Sequence, residues 1–387
     1  MIMNDIIYLD NQSTTQIDPI VYESMKPYLK KSFGNPSSSN HILGWEAEEA
    51  IKIAREYISK NINCNENELI FTSGATESIN LAIKGLIDNH IKSGDHIITS
   101  NIEHKAVIDV LNFISKKNIN ITFVPVDENG IIDIRKLKNK ITKKTKLCSI
   151  IHANNEIGTI QPIKEIGKLC KQNNILFHVD AAQTFGKKII HVNDMHIDLL
   201  SISGHKIYAP KGIGALYVRR KNPRIELTPI LHGGAHEYGL RAGTLSVHNI
   251  VGFGTASKIS LSNQKKDNEY VNELKKILLN GLKSIFPDLI VNGSLDNRLE
   301  GNLNITFPNV SANTIMKKLS KIACSTGSAC SSMSPEPSHV LQALNLKKEQ
   351  INNTIRFGIG KFNTKNQILN VIDLFNEKIK EYTNESN

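Results

Sequence analysis

Ser201-Ile-Ser-Gly-His-Lys206-Ile-Tyr-Ala-Pro-Lys-Gly-Ile-Gly-Ala-Leu-Tyr-Val218 is the stretch around which the rest of this chain is organised. The apolar run Ile197-Asp-Leu-Leu-Ser-Ile202 predicts a buried strand that stops at Gly204-His-Lys206. Pro210, Gly212 and Gly214 then make a tight return, and Ala215-Leu-Tyr-Val218 predicts a second strand. A lysine beside histidine, serine and glycine at a strand end is placed for chemistry. Burial keeps its amine neutral and nucleophilic, as in Schiff-base lysines. The plain alternative is a surface lysine in a hairpin, and Lys206 alone does not separate the two.

Toward the N-terminus, Ile6-Ile-Tyr-Leu-Asp10 predicts a short strand ending in the turn Asn11-Gln-Ser-Thr-Thr15, and Pro19 to Lys31 and Trp45 to Lys60 have helical spacing. Glu68-Leu-Ile-Phe71 predicts a strand running into Thr72-Ser-Gly-Ala-Thr76 and a helix through Leu86. Further short apolar strands, at 96–99, 121–124, 147–151 and 175–179, alternate with helices. That pattern predicts an α/β fold with a mainly parallel sheet covered on both faces. After about Gly254 a long charged helix, Asn263 to Ile285, leads to strands at 303–307 and 354–358, which predicts a smaller α+β part.

The chain has 387 residues, enough for two domains, with an ordinary globular balance of 40% hydrophobic and 22% charged residues. Its net charge of +10 comes from lysines scattered through Lys/Asn/Ile-rich stretches such as 138–146, so no nucleic-acid partner is expected. No apolar run approaches the ~18 residues of a membrane helix. The start, Met1-Ile-Met-Asn-Asp5, has no signal-peptide pattern, so a cytoplasmic protein is expected. Cys64, Cys148, Cys170, Cys324 and Cys330 are odd in number and lack a Cys-x-x-Cys pair, so neither a disulfide framework nor a standing metal site is expected.

In an open parallel sheet, ligands bind beyond the carboxyl ends of the strands. Gly74-Ala-Thr-Glu77 joins a strand to a helix, where free N–H groups and the Thr76 hydroxyl suit a phosphate, although Thr and Glu also make an ordinary helix cap. His104 follows the next strand and is fit to stack on a ring or move protons, or to play a structural part. Asn154-Asn-Glu156 follows another. Asp180 closes His178-Val-Asp180, with Gln183 just after. A carboxylate there pairs with a protonated ring nitrogen, as pyridoxal phosphate requires to act as an electron sink, and a Schiff-base lysine is its complement. Cys330 lies in 324–338, a run of small, turn-forming residues. An exposed cysteine there oxidises, so its presence points to reactivity, whereas Cys324 adjoins an apolar segment and reads as structural.

Tyr8-Leu-Asp-Asn11, Gly34-Asn-Pro-Ser37 with His41, Thr72-Ser-Gly-Ala-Thr-Glu-Ser78, Glu103-His-Lys-Ala-Val107, Asn154-Asn-Glu-Ile-Gly158, Phe177-His-Val-Asp180, Ser203-Gly-His-Lys206, Arg241-Ala-Gly-Thr244 and Ser325-Thr-Gly-Ser-Ala-Cys330 occur in this order. As a set they resemble the pyridoxal-phosphate enzymes of the aspartate-aminotransferase fold, and within them the cysteine desulfurases. The resemblance implies a large cofactor-binding domain over 16–262. It implies a small domain formed by 1–15 and 263–387, which carries the catalytic cysteine segment 324–338. It implies that Lys206 carries pyridoxal phosphate as a Schiff base, Asp180 pairs with its ring nitrogen, Gln183 bonds the ring oxygen and His104 stacks on the ring and takes part in catalysis. Asn155 would bond cofactor or substrate. Ala75, Thr76, Ser203 and His205 would hold the phosphate, and Thr244 would reach it from the other subunit of a homodimer. Arg356 would hold the carboxylate of L-cysteine. Cys330 would take the sulfur as a persulfide, deliver it to an iron–sulfur scaffold or another carrier, including those of tRNA thiolation, and serve at most as a transient iron–sulfur ligand shared with that scaffold.

Tyr238 stands where such chains usually have arginine, Thr326 replaces a usual serine and Ile79 a usual asparagine. The chain ends soon after Tyr382, where members that feed a scaffold usually carry a longer docking tail. The basic run Arg219-Arg-Lys-Asn-Pro-Arg224 is then the expected docking strip, its plain alternative being a solvated turn. The rival readings are an aminotransferase or selenocysteine lyase of the same fold and, from another class, an inactive binding subunit.

Overall fold

The computed structural model describes residues 6–326 and 337–383; Cys330 lies outside the described residues. The strands, in chain order, are β1 (Ile7–Tyr8), β2 (Leu69–Thr72), β3 (His96–Ser100), β4 (Asn120–Val124), β5 (Thr145–Ile151), β6 (Leu176–Asp180), β7 (Leu199–Ser203), β8 (Gly214–Val218), β9 (Ile290–Val291), β10 (Asn302–Thr306), β11 (Ile322–Ala323) and β12 (Thr354–Gly358). The helices are α1 (Pro19–Lys30), α2 (Ile42–Ile62), α3 (Ala75–Gly85), α4 (Lys105–Ser115), α5 (Ile134–Asn139), α6 (Ile163–Gln172), α7 (Val247–Ile285), α8 (Ala312–Lys318), α9 (His339–Ala343), α10 (Lys348–Asn352) and α11 (Lys365–Lys378).

The central sheet has the order β2-β8-β7-β6-β5-β3-β4. From β4 to β7 neighbours pair in parallel, while β8 is antiparallel to both β7 and β2. The chain is therefore α/β with a mainly parallel sheet, as its alternation of short apolar strands and helices requires. Side chains alternate across the sheet. Leu199, Leu216 and Val218 pack in a smaller cluster with Ile79, Leu81, Val107 and Leu111 of α3 and α4. Leu200, Ile202, Ala215 and Tyr217 join the first of two larger cores with Ala54 and Ile58 of α2 and Phe253 of α7. Both faces are covered, which is why β7 and β8 read as continuous apolar runs.

A second core draws on Ile7 and Leu9 and then on residues from Val271 to Ile379. It lies against the antiparallel sheet β12-β10-β9 and the parallel pair β1-β11. Phe307 stacks on Phe375 at 5.4 Å, and Phe286 and Phe357 meet that pair edge-on, the geometry that aromatic quadrupoles favour.

The 39 residues of α7 serve both cores: Ile250, Phe253 and Ala256 enter the first, and Val271, Leu274, Leu278 and Leu282 the second. The sequence reading begins this helix at Asn263 and divides the domains between 262 and 263, whereas α7 begins at Val247 and runs unbroken across that position. Glycines and β-branched residues in 247–262 lower intrinsic helix propensity, and packing overrides it. A Cβ on Gly254 would stand 2.5 Å from the Cα of Ala54, so glycine lets α7 meet α2 at backbone distance. Val340, Leu341 and Leu344, expected in the smaller part, pack in the first core. Among the described residues no helix is long and apolar enough to cross a membrane.

Candidate active site

From β3 the chain moves to β4 on one side and then to β5, β6 and β7 on the other, so the strand order reverses between β3 and β5. A crevice forms at the carboxyl ends of strands beside such a point. A cleft of about 520 Å³ opens there, within the usual range for a small-molecule site. Ten of the expected residues line it: Ala75, Thr76, His104, Asn155, Asp180, Gln183, Ser203, His205, Lys206 and Arg356. A separate void of about 70 Å³ behind Asn11 and Gln12 contains none of them.

At one end, Gly74 precedes α3 at φ +152°, and an added Cβ there would meet nothing within 4 Å among the described residues. As glycine it offers the helix no side-chain cap, so the first N–H groups of α3 face the cleft beside Thr76, Ser203 and His205. That is an anion site by construction. Gly214 makes the approach possible, since a Cβ on it would lie 2.7 Å from the Gly74 Cα. His205 shares a 3.0 Å hydrogen bond between Nδ1 and Thr14 Oγ1. Burial, then the charges of Lys206 and Lys211, push its imidazole down to about 4, so it is neutral at neutral pH.

In the middle, β7 ends in a short helical turn, Gly204–Lys206. Lys206 Nζ donates to the carbonyls of Gln12 (2.5 Å) and Ser13 (2.6 Å). Asp180, at the end of β6, accepts from the Ala182 N–H at 2.9 Å. Burial raises its pKa, and the nearby His104 and Lys206 pull it back, so the carboxylate calls for a cation in the cleft. His104 caps α4, its Nδ1 accepting from the Ala106 N–H at 3.1 Å, which leaves the proton of the neutral ring on Nε2. Gln183 Nε2 donates to the Gln12 carbonyl at 2.9 Å, while its buried Oε1 finds no partner among the described residues.

At the other end, Arg356 in β12 is 1% exposed. Its Nη1 donates to the Asn155 carbonyl (3.0 Å), and its Nη2 to Asp10 Oδ1 (2.8 Å) and Ser13 Oγ (2.6 Å). Nε has no partner among the described residues.

Sequence reasoning read Asp10 as the end of a strand and 11–15 as a turn, and assigned neither a role. Yet Asp10 and Ser13 hold Arg356, the carbonyls of Gln12 and Ser13 hold Lys206, and Thr14 and Thr15 hold the loop of His205. The available signal was a dense polar run directly after a strand. Glu103 and Glu156 were also passed over, although each adjoins a residue that was singled out. Glu103 is fully buried, its Oε1 accepting from the Ile151 N–H (3.0 Å) and the Ser100 hydroxyl (2.5 Å); burial pushes it up to about 8. Glu156 Oε2 accepts from the Ser338 hydroxyl at 2.5 Å, and burial pushes it up to about 7.

Thr244 is exposed and does not line the cleft. Cys324 is half-buried and its thiol is pushed up to about 12, chiefly by burial, which keeps it protonated and unreactive. Within the basic run, Arg219 turns inward to Asp198 (3.3 Å) and the Ile197 carbonyl (2.8 Å), leaving Arg220 and Arg224 for the surface. Tyr238 lies under the Arg220 guanidinium, 4.3 Å from its ring centroid.

Residues 7–371 match the aminotransferase class-V family. The chain is 48% identical over 374 residues to "Cysteine desulfurase IscS" of Ehrlichia chaffeensis, an alignment covering 97% of this chain and 91% of that one. Among solved structures, "NIFS-LIKE PROTEIN" superposes with a TM-score of 0.89 at 34% identity, covering 96% of this chain and 98% of the other. "SspA in complex with cysteine" has a TM-score of 0.81 at 40% identity, covering 92% and 99%. Class-V aminotransferases of this kind depend on pyridoxal phosphate, and the cleft fits that group: an uncapped helix N-terminus for phosphate, a lysine for the Schiff base, a buried carboxylate for the ring nitrogen and an orphaned Gln183 Oε1 beside it. The chain belongs to the aminotransferase class-V family and, within it, to the cysteine desulfurases.

Proposed function

We propose that this chain converts L-cysteine to L-alanine with pyridoxal phosphate and holds the sulfur as a persulfide on Cys330. The observation that carries the reading is one cleft with an uncapped helix N-terminus at one end, a buried arginine at the other, and Lys206 and Asp180 between them. A structural neighbour titled as a complex with cysteine agrees with the substrate.

When bound, the cofactor supplies an electron sink that weakens the substrate's bonds. The chain's own residues do the rest. The N–H groups of α3, with Thr76, Ser203 and neutral His205, hold the phosphate. Asp180 holds positive charge at the ring nitrogen, Gln183 and Asn155 bond the cofactor, His104 covers the ring, and Lys206 is the point of attachment. The Arg356 fork takes the substrate carboxylate. The Cys330 thiolate attacks the substrate sulfur: an S–S bond forms, the Cβ–S bond breaks, and its electron pair stays with the carbon skeleton, which takes up a proton and leaves as alanine.

The same reading includes a cytoplasmic homodimer in which Thr244 serves the neighbouring phosphate site, and delivery of sulfur to an iron–sulfur scaffold or another carrier along Arg220 and Arg224. It keeps two domains, a large cofactor-binding one and a small one, joined along α7. The test is an assay of the cofactor-loaded protein with L-cysteine and a thiol reductant, expecting equal yields of sulfide and alanine. Cys330→Ala should retain the cofactor and bind L-cysteine yet release no sulfide. Undiminished sulfide release by that variant would rule out Cys330 as the sulfur acceptor, and amino-group transfer to a keto acid without sulfide would favour an aminotransferase.

A further inference from the structure

Ser325 and Ser338 flank the segment that carries Cys330, and both are tied to the substrate end of the cleft. Ser325 pairs with Arg356 through two backbone hydrogen bonds, Arg356 N–H to the Ser325 carbonyl at 2.6 Å and the reverse at 3.2 Å. Arg356 donates to the Asn155 carbonyl. The next residue, Glu156, accepts from the Ser338 hydroxyl at 2.5 Å. The contacts make a continuous path, Ser325–Arg356–Asn155–Glu156–Ser338, through two residues assigned to the substrate.

We propose that Glu156 is a positioning residue for sulfur transfer: its carboxyl group fixes Ser338, eight residues after Cys330, at the substrate end of the cleft. This inference rests on the reading of Cys330 as the sulfur acceptor.

Ser338 has a simpler task, since its Oγ caps α9 by accepting the Leu341 N–H at 3.2 Å. A serine cap needs no carboxyl group behind it. Burying one is costly, and Glu156 is 6% exposed. Its backbone is held from two sides: its N–H donates to Asn154 Oδ1 (2.8 Å), and its carbonyl accepts from Asn302 and Asn304 Nδ2 (3.0 and 3.2 Å). Beyond Ser338, His339 Nε2 bonds the Glu103 carbonyl at 2.9 Å, beside His104, and Val340 and Leu341 are buried in the first core. A rigid carboxyl group therefore grips Ser338 on a rigid support.

The experiment compares Glu156→Ala, Glu156→Gln and Ser338→Ala as cofactor-loaded proteins. Cofactor content and the absorbance change on adding L-cysteine report binding; sulfide release with a thiol reductant gives kcat and KM. Misplacing a reacting group by about 1 Å costs on the order of 100-fold, so kcat of Glu156→Ala should fall by about 10- to 100-fold. Cofactor content and KM should stay at wild-type values. Glu156→Gln, which keeps an acceptor for Ser338, should recover most of kcat. Ser338→Ala should reproduce the loss, and the double alanine variant should be no worse than either single one, because both remove the same contact. A wild-type kcat in Glu156→Ala overturns the inference. So does a parallel loss of cofactor, substrate binding and turnover that glutamine does not rescue. If Glu156→Ala fails to fold, the glutamine and Ser338 variants decide on the same criteria. If the wild-type protein releases no sulfide, or Cys330→Ala releases it normally, the desulfurase reading fails and takes this inference with it. A working wild type with an equally active Glu156→Ala sinks only the inference.

Discussion

At the α3 end of the cleft, glycine leaves the first N–H groups without a side-chain cap and the imidazole beside them is neutral. At the Arg356 end the guanidinium already holds a carboxylate, a hydroxyl and a carbonyl of its own chain. Both ends suit anions, but they reach that state differently. The first offers fixed backbone dipoles with no internal substitute for the ligand, so a phosphate there replaces only water. The second is a buried charge that must be paired in the empty protein, because an uncompensated one costs roughly 3–5 kcal/mol. Asp10 supplies that pairing, and in the proposed function the substrate carboxylate would share the fork with it. Permanent cofactor binding and reversible substrate binding are matched to these two constructions.

The comparison breaks most visibly at the arginine. Arg356→Lys removes the planar fork, so KM for L-cysteine should rise on the order of 100-fold while cofactor content stays unchanged. Steady-state kinetics alongside the absorbance of the bound cofactor would show it, and a loss of cofactor instead would mean that the two ends are not independent. Asp10→Asn tests the internal pairing. It keeps an acceptor oxygen but removes the counter-charge, so the protein without substrate should lose about 2 kcal/mol of stability, the worth of a hydrogen bond to a charged group. L-Cysteine should then raise the melting temperature of this variant more than that of the wild type, since it supplies the missing carboxylate. Equal shifts would show that Asp10 does not compete for Arg356.

The smallest effect concerns the floor between the ends. Glu103 is raised to about 8 in the folded chain from an ordinary value of 4.5. The folded state then holds more protons than the unfolded one between these values, so its contribution is full below about 4.5 and lost as pH rises through about 8. Glu103→Gln has no such ionisation. Its stability relative to wild type should climb from pH 5 to pH 8, measured by urea unfolding across that range. A flat difference would mean that Glu103 is charged in its pocket.

Much of the sheet was legible because its punctuation is local. Gly204, Pro210, Gly212 and Gly214 bracket β7 and β8, and Asp180 and Lys206 stand at strand ends where polar residues are conspicuous after apolar runs. The 11–15 turn was legible as a turn but not as a support, because its partners lie up to 352 positions away along the chain. Asp10 meets Arg356 only through the fold. Glu103 and Glu156 look in sequence like any surface glutamate, and burial alone distinguishes them. The start of α7 was hidden for the opposite reason: Gly252 and Gly254 lower helix propensity locally, and the close approaches to α1 and α2 that they respectively allow cannot be read one-dimensionally.

That helix also sets a mechanical relation between the two cores. An α-helix of 39 residues is about 58 Å long, so a tilt of about 5° around its midpoint carries each end through about 2.5 Å. Its second half lies in the core that contains Ile355 and Phe357, the residues on either side of Arg356. The helix is a lever arm with one end seated on the central sheet and the other in the core that flanks Arg356. A tilt of a few degrees moves either end farther than the ~0.5 Å range over which a hydrogen bond keeps its length.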